Sequence, residues 1–460
     1  MNVYTLFLFV GIAALIITAI RMIAKKSGNI TLAYLQSFLG SLFIFSGVVK
    51  AIDPLGTSYK MKEYFEAFAQ DGMAQVWEAL AHYSTEMAVM MIVFEIAAGV
   101  ALIIGWKEKI AVSAVFWMNL FFLFLTGYTY LSGYGITKKF MLVSFVIIFF
   151  AAISVLFNDY KRRRTALLIV AGLIALVAIL CQFTDICFTC EFTKTKMKVT
   201  DCGCFGDFMK LKPWETFYKD VILTLMTVYL VYYRNKIQPL FGSNIRWALT
   251  IAAFVGSLLF CLKNFVWGLP IVDFRPYAIG NNINEQMITP KRDSMVMVFV
   301  YKNKTSGEIK EFGMTNIPTD TNWSYVDRKD VIIEEGIPAK ISNLMIEGDE
   351  GANVTTAMIN DTATTYWIVA WNLKETKKRA WKEKIKPFVA RAAKEGKKIY
   401  VLTNMHDQAF EKEMGLNIPY YLADATPLKT MIRSNPGLME IKNGTVMNMW
   451  HWTGIPEYGN

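Results

Sequence analysis

The chain has 460 residues, of which 54% are hydrophobic and 19% charged, and its mean hydropathy is +0.32. Soluble domains carry about 25% charged residues, so this composition excludes an entirely soluble protein. The net charge of +10 is concentrated before residue 269, where the chain has 24 basic and 15 acidic residues. The rest of the chain has 24 basic and 23 acidic residues. Because the basic excess lies among apolar segments, where loop charge sets membrane orientation, nucleic-acid binding is not expected.

Eight segments are predicted to span a bilayer, which takes about 20 predominantly apolar residues. They are residues 3–24, 30–50, 86–106, 110–131, 139–157, 164–182, 215–233 and 246–264. The first segment lacks the basic n-region of a signal peptide, so we expect a retained helix with its N-terminus outside. In that topology all six arginines of the region fall on the cytoplasmic side, as the bias of loop charge predicts: Arg21, Arg162, Arg163, Arg164, Arg234 and Arg246. Residues 183–214 and the chain beyond residue 265 are then predicted to lie outside the cytoplasm.

Two ionisable residues are notable within these segments. Glu95 lies near the middle of segment 86–106. Lys50 lies near the outer end of its helix, and two interpretations of it stay open: its side chain snorkels toward the membrane interface, or it bonds to Asp53 or Glu95. Charged groups at membrane depth are costly and often functional. Two interpretations of Glu95 stay open, a structural ion pair within the bundle and proton exchange coupled to redox chemistry. The three histidines are too scattered to predict a metal cluster.

The six cysteines all lie in the membrane part. Four of them form Cys187-x-x-Cys190 and Cys202-x-Cys204 on the predicted outer side. Three interpretations stay open for these four: a labile redox site, structural disulfides, and a four-thiolate zinc site. The zinc site is the least favoured of the three, because it would be expected in a reducing compartment, so no metal ligand is assigned. Cys181 and Cys261 lie in predicted helices, where a cysteine acts as a small apolar residue.

The segment Asp201–Asp207 reads DCGCFGD and resembles the signature of the DoxX/MauE membrane family, particularly Bacteroidetes members with a C-terminal thioredoxin-like domain. Residues 45–54 (FSGVVKAIDP) and Glu95 also match that family's pattern. The resemblance implies a DoxX-like helical core. It also implies a role like that of its relatives, in maturation of periplasmic disulfide-containing enzymes or in quinone-linked thiol oxidation. The chain departs from these relatives by an insertion before the cysteine motif, predicted as a helical hairpin near residues 135–190.

After residue 269 the pattern changes to short strands, polar turns and one amphipathic helix. Strands are predicted over 294–301, 366–371 and 398–402, with a helix over 375–395 that Pro387 interrupts. A hairpin is predicted at 438–450, because Asn443-Gly444 is a strong turn signal. This order predicts a compact α/β domain.

The order of these elements resembles the thioredoxin fold, and Ala339–Ile359 resembles the lead-in of peroxiredoxin- and TlpA-like domains. In that family a cis-proline precedes the third core strand, and Pro436 occupies the corresponding position. The active-site turn departs from the family, because Asn372–Thr376 replaces Cys-x-x-Cys and no cysteine follows Cys261. Since thiol–disulfide exchange needs a thiolate, we expect a redox-inactive recognition module.

The sequence therefore predicts a polytopic α-helical membrane bundle over residues 1–265, followed by an α/β thioredoxin-like extracytoplasmic domain over 266–460. The leading functional hypothesis is a thiol–disulfide electron relay in the bacterial inner membrane, with its C-terminal domain in the periplasm. Cys202 and Cys204 would exchange with Cys187 and Cys190, and then with a quinone or an extracytoplasmic protein partner. The alternative is a non-enzymatic membrane subunit whose disulfides brace a loop; a small-molecule transporter is a third hypothesis.

Overall fold

The computed structural model describes residues 3–26, 28–135, 196–201, 203–209, 211–292, 294–334 and 336–456, with four further positions between 165 and 172. The chain divides into two compact units, Met1–Phe274 and Arg275–Asn460, and each is described by itself. The predicted hairpin near 135–190 lies outside the described residues. So do the predicted span 139–157 and most of the span 164–182.

The first unit is helical. Its described helices are α1 Val3–Ile23, α2 Ile30–Ile52, α3 Pro54–Asp71, α4 Ala74–His82, α5 Ser84–Ile104, α6 Glu108–Ser132, α7 Pro213–Tyr233 and α8 Ser243–Phe265. Five of these, α1, α2, α5, α6 and α8, are long and apolar enough to cross a membrane. They correspond to five of the predicted spans, and helix α7 corresponds to a sixth but carries Lys219 and Asp220 and is not among the five. The region is consistent with a membrane helical bundle, and the count of eight spans stays a prediction.

Helices α2 and α5 pack closely because glycines face each other at their contact. A Cβ atom on Gly40 would lie 2.9 Å from the carbonyl oxygen of Gly99, and one on Gly99 would lie 2.8 Å from that of Gly40. Further along, a Cβ atom on Gly47 would lie 2.5 Å from Cγ1 of Ile96. Small residues allow such close approach between helices in membranes, where side-chain packing drives association. This contact brings the C-terminal turn of α2 next to the middle of α5.

Arginines from two other helices bind the C-terminal end of α5. Arg21 of α1 donates to the carbonyl oxygen of Ile103, and Arg246 of α8 donates to that of Gly105 at 3.0 Å. These carbonyls carry the negative end of the helix dipole, which cations stabilise. The two arginines therefore lie at the same end of the bundle.

The second unit is rich in β-sheet. A three-stranded antiparallel sheet has the order β2-β1-β3, with β1 Ser294–Asn303, β2 Ile309–Gly313 and β3 Trp323–Glu334. A six-stranded sheet has the order β4-β7-β6-β5-β8-β9. Its strands are β4 Ile346–Glu347, β5 Thr365–Val369, β6 Lys398–Thr403, β7 Tyr420–Ala423, β8 Gly437–Lys442 and β9 Thr445–His451. Strands β5, β6 and β7 are parallel, and the others are antiparallel to their neighbours.

The second unit also contains short helices, of which Lys386–Lys394 and Ala425–Met431 pack on β6 of the six-stranded sheet. The short helices are α9 Ile283–Met287, α10 Thr355–Ile359, α11 Lys378–Ala380, α12 Lys386–Lys394, α13 Gln408–Met414 and α14 Ala425–Met431. The predicted helix over 375–395 is α11 and α12 joined by a π-helical turn, Trp381–Ile385. Pro387 has no N–H to donate and its ring crowds the preceding turn, and a wider π-turn relieves that crowding. The side chains of Trp381, Ile385 and Phe388 are buried, and all of strand β5 is buried.

The predicted strands of the second unit are confirmed with shifts of one or two residues at their ends. The hairpin between β8 and β9 is confirmed as well. Asn443 and Gly444 have φ of +47° and +74°, the positive values that a type I′ turn requires at both central positions. The Asn435–Pro436 peptide bond is cis.

Candidate functional site

A buried ion pair joins α2 to α5. Lys50 Nζ lies 2.9 Å and 2.8 Å from the two carboxylate oxygens of Glu95, and the side chains are only 3% and 2% exposed. Lys50 also donates to Ser46 Oγ at 2.9 Å, and its Nζ lies 4.6 Å from the centroid of the Phe122 ring. Because a lysine ammonium has three protons to donate, this cluster uses all of them.

Ser46 links the ion pair to the cysteine motif. Its hydroxyl accepts the bond from Lys50 and donates to the carbonyl oxygen of Cys204 at 3.3 Å. Glu95, Lys50, Ser46 and the backbone of Cys204 therefore form one continuous chain of hydrogen bonds. Hydrogen bonds in such a chain polarise one another in a low-dielectric interior, so the Lys50–Glu95 pair and the Cys204 carbonyl belong to one polar network.

The cysteine motif is held on the bundle by aromatic packing. Phe205 is 2% exposed, and its ring centroid lies 6.3 Å from that of Phe45. Phe208 packs edge-on against the same ring at 6.0 Å. Gly203 has φ of +62°, and a Cβ atom there would lie 2.8 Å from Cγ of Lys60. Both its conformation and the close approach of Lys60 require glycine at this position.

An ion pair attaches the start of the motif to α3. Lys60 Nζ lies 2.9 Å from Asp201 Oδ1 and 2.6 Å from Glu63 Oε2. Burial alone lowers the pKa of Lys60, but the carboxylates of Asp201 and Glu63 outweigh this effect and hold the pKa above its ordinary value. The ammonium group is therefore charged at neutral pH, and it holds the motif from the side of α3.

A second attachment lies a few residues earlier. Lys198 Nζ lies 2.6 Å from Asp71 Oδ1 at the end of α3, and the Tyr128 hydroxyl of α6 donates to Asp71 Oδ2 at 2.6 Å. Asp71 thereby joins three elements of the unit. Val199 is fully buried in the same cluster as Tyr128. Residues 198 and 199, which precede the cysteine motif, are therefore also held against α3 and α6.

A further buried pair lies behind Phe205. Lys219 Nζ of α7 lies 5.2 Å from the centroid of the Phe205 ring and 3.0 Å from Asp220 Oδ1. The two side chains are 8% and 2% exposed, and Asp220 Oδ2 has no hydrogen-bond partner in the described part of the chain. A cation over an aromatic face is attractive, so this lysine stabilises the residue that follows Cys204.

A small cavity opens beside Cys204. Its volume is about 30 Å³, which is enough for water-sized molecules. Its lining combines Lys50, Tyr64, Phe122, Thr126 and Cys204 with other apolar residues. The cysteine motif and Lys50 of the buried ion pair therefore border the same small space.

The structure brings some predicted site residues together and separates others. Glu95, Lys50 and Cys204 meet at one site. Asp53, the other expected partner of Lys50, caps α3 by accepting a bond from the Gly56 N–H at 3.0 Å. Cys202, Cys187 and Cys190 lie outside the described residues, and Pro436 belongs to the second unit. Cys261 is fully buried in α8. Among the described residues no group of three histidine, cysteine or acidic side chains is placed to hold a metal.

Sequence reasoning missed the four groups that hold the cysteine motif: Ser46, Lys60, Asp71 and the Lys219–Asp220 pair. Only one of them carried a local signal. Asp220 and Lys219 are adjacent charges inside a predicted span, where charged residues are rare. Ser46 lies in the apolar span α2, where a serine ordinarily bonds to the preceding turn. Lys60 and Asp71 lie in the polar helix α3, where a charge is ordinarily exposed.

The fold and this site define a multi-pass membrane protein in a lipid bilayer, followed by a sheet-rich domain. Residues 28–137 match the family model described as methylamine utilisation protein MauE. This match covers α2 to α6 and so includes Ser46, Lys50 and Glu95, and it supports a MauE-like membrane family for this part of the chain. Residues 295–335 match a domain of unknown function, DUF8463. Neither the curated proteins nor the solved structures contain a significant match.

Proposed function

We propose that this protein is a membrane thiol–disulfide electron relay that supports oxidation or maturation of extracytoplasmic proteins. The observation that carries the proposal is the hydrogen-bonded chain from Glu95 through Lys50 and Ser46 to the backbone of Cys204. It couples a buried ionisable pair to a cysteine motif beside a cavity. The MauE match points in the same direction, because it indicates a membrane protein of a redox or maturation-related system.

In the proposed reaction a client dithiol reduces a Cys202–Cys204 disulfide. A client thiolate attacks one sulfur, a mixed disulfide forms, and the second client thiolate releases the relay dithiol. Two electrons pass to the relay and the client gains its disulfide. A Cys187–Cys190 disulfide then reoxidises the relay dithiol and is itself reduced to a dithiol. That dithiol gives two electrons and two protons to a quinone, or exchanges with a disulfide of a partner protein, and so returns to the disulfide. Glu95 is the proposed group for proton exchange, and Lys50 positions it.

We propose that the second unit is a thioredoxin-like recognition domain without redox activity. Three features support this: the parallel β5–β6 pair joined by a helix, the antiparallel β8–β9 hairpin, and the cis bond before Pro436. The turn that replaces Cys-x-x-Cys lies against the loop of that proline, because Asn435 Nδ2 donates to the Asn372 carbonyl at 3.0 Å. With no cysteine after Cys261, this turn can bind a client but cannot oxidise it.

We propose that the protein lies in the bacterial inner membrane, with the second unit in the periplasm. Arg21 and Arg246 support this orientation, because both bind carbonyls at the same end of α5. Basic residues favour the cytoplasmic side of a membrane protein. A membrane-impermeant thiol reagent applied to intact cells tests the topology: it should reach Cys204 without lysis, and labelling only after lysis would refute it.

Cysteine variants test the relay. Cys202→Ser and Cys204→Ser, singly and together, are expected to abolish the contribution of the protein to disulfide formation in extracytoplasmic proteins. Cys261→Ser is the matched control and should leave oxidation unchanged, because this thiol is buried in α8 in a cluster that contains no residue of the motif. Unchanged client oxidation in the double variant refutes the relay.

The second candidate is a non-enzymatic scaffold, favoured by the saturated Lys50 ammonium group and by the missing thiols of the second unit. Thiol trapping in growing cells separates the two candidates. A relay has a mixed population of oxidised and reduced motif cysteines that becomes more reduced when respiration is inhibited. A scaffold has a fully oxidised population that does not respond.

A further inference from the structure

The second unit has a highly uneven distribution of charge. Residues 374–398 contain eleven lysines and arginines and three glutamates, a net charge of +8. The rest of the unit contains 13 basic and 19 acidic residues, a net charge of −6. One segment of 25 residues therefore carries all the positive excess of a unit that is nearly neutral as a whole.

The basic residues of this segment are solvent-exposed except Lys384, which is half-buried. Its helices bury an apolar face that includes Trp381 and Phe388 and turn the opposite face outwards. On that outer face Arg379 is 78% exposed and Lys382 is 59% exposed. Lys378, Lys382 and Lys386 follow one another at four-residue spacing along the helical segment. We call this outer surface of residues 374–398 the basic face.

Internal ion pairs neutralise only part of the basic face. Lys378 and Lys382 share Glu413, and Lys398 pairs with Asp361. Five exposed lysines make no ion pair with any residue that the structure describes: Lys374, Lys377, Lys386, Lys394 and Lys397. Their charges therefore remain available to an anionic partner.

We propose that the basic face binds the anionic headgroups of phospholipids. Lysine is a compact, strongly hydrated point charge, and clusters of basic residues close to a membrane bind acidic lipids. The covalent connection keeps the second unit near the bilayer. This unit begins at Arg275, only ten residues after Phe265, where the helix α8, long enough to span a membrane, ends. Ten residues reach at most ~35 Å.

The composition of the basic face favours lipid over protein or nucleic acid. Protein interfaces have an apolar, aromatic core from which lysine is depleted. No large hydrophobic side chain is strongly exposed anywhere in residues 374–398. Single-stranded nucleic acids require exposed aromatic rings for base stacking, and the two aromatic side chains of the segment, Trp381 and Phe388, are buried. A predominantly cationic surface fits headgroup phosphates, which need charge but neither stacking nor apolar contact.

Lysine labelling of the full chain tests the proposal. The protein is placed in nanodiscs of phosphatidylcholine alone or with 30% phosphatidylglycerol, and each lysine's rate of reaction with an amine-reactive reagent is followed by mass spectrometry. We expect the five lysines to react several-fold more slowly in the phosphatidylglycerol discs at 0.15 M salt. Addition of salt to 1 M should restore the rate, because the Debye length falls from ~8 Å to ~3 Å.

Exposed lysines elsewhere in the same unit are the matched control. Lys302, Lys310, Lys340, Lys412 and Lys442 are exposed but lie outside the basic face, and they should react equally in both discs. Phosphatidylglycerol discs should also protect the backbone amides of Arg379 and Lys382 from hydrogen exchange. Replacement of the five basic-face lysines by glutamine should abolish this protection, and the same replacement of the five control lysines should not. Equal labelling of the basic face in both discs overturns the proposal. Equally strong protection in phosphatidylcholine alone also overturns it, because protein rather than anionic lipid would then cover the face.

Discussion

Removal of one partner of the Lys50–Glu95 pair should destabilise the membrane unit strongly. Lys50→Met leaves the Glu95 carboxylate buried at 2% exposure without its two ammonium bonds of 2.8 Å and 2.9 Å. Breaking a buried pair in this way costs about 3–5 kcal/mol. The result should appear as a fall in Tm on the order of 10 °C for a unit of this size.

The double variant Lys50→Met/Glu95→Leu distinguishes the attraction between the two charges from the cost of burying each charge alone. Replacing both partners of a buried pair with apolar residues is often neutral or stabilising, so most of the lost Tm should return. Thermal unfolding of the four proteins in one detergent forms a double-mutant cycle, and the expected coupling is about 2–4 kcal/mol. Val48→Met, an exposed residue of the same helix, is the control and should leave Tm unchanged. If the two single losses simply add, the residues do not interact and the reasoning is refuted.

The remaining predictions concern the attachment of the cysteine motif. Gly203→Ala should detach the motif, because the new Cβ atom would lie 2.8 Å from Cγ of Lys60, and the labelling rate of Cys204 should rise several-fold. Gly206 has a similar positive φ but no atom within 4 Å of its Cβ position, so Gly206→Ala should raise the labelling rate less. Equal effects would show that the contact with Lys60 does not matter. Lys60→Met should likewise speed labelling, whereas Lys62→Met, which breaks no ion pair of the described structure, should not. The raised pKa of Lys60 means that its ion pairs stabilise the fold fully below the unfolded value of 10.5 and are lost as pH rises through the folded pKa. Circular dichroism or thiol labelling between pH 9 and 12 should therefore show alkaline loosening in the wild type that the Lys60→Met variant lacks.

The candidate site could be predicted from the sequence only in its parts. Glu95 was noticed because a carboxylate within an apolar run is rare, and Lys50 because it ends the preceding span. Their partnership was one of three interpretations, because a lysine in the last turn of a helix can snorkel toward the interface, bond to Asp53 three residues further on, or reach Glu95 on another helix. The glycine contact between α2 and α5 decides it by setting how close the two helices come.

The attachment of the cysteine motif could not be predicted at all. Ser46 and Cys204 are separated by 158 positions, and Lys198 and Asp71 by 127. A serine in a helix ordinarily bonds through its hydroxyl to the preceding turn. An acidic residue at a helix end is ordinarily an exposed charge. Neither pattern contains information about a partner so far along the chain.

The sequence by itself determined where the apolar helices lie, where the chain changes to strands, and where the β8–β9 hairpin turns. Each of these depends on the hydrophobicity of consecutive residues or on the backbone preference of one or two residues. A short stretch of sequence is therefore enough to reveal it. Only the tertiary structure decided that Lys50 pairs with Glu95 and that the cysteine motif rests on Lys60, Asp71 and Lys219. Those contacts depend on how helices rotate and slide against each other, and that geometry is settled by packing over the whole unit at once.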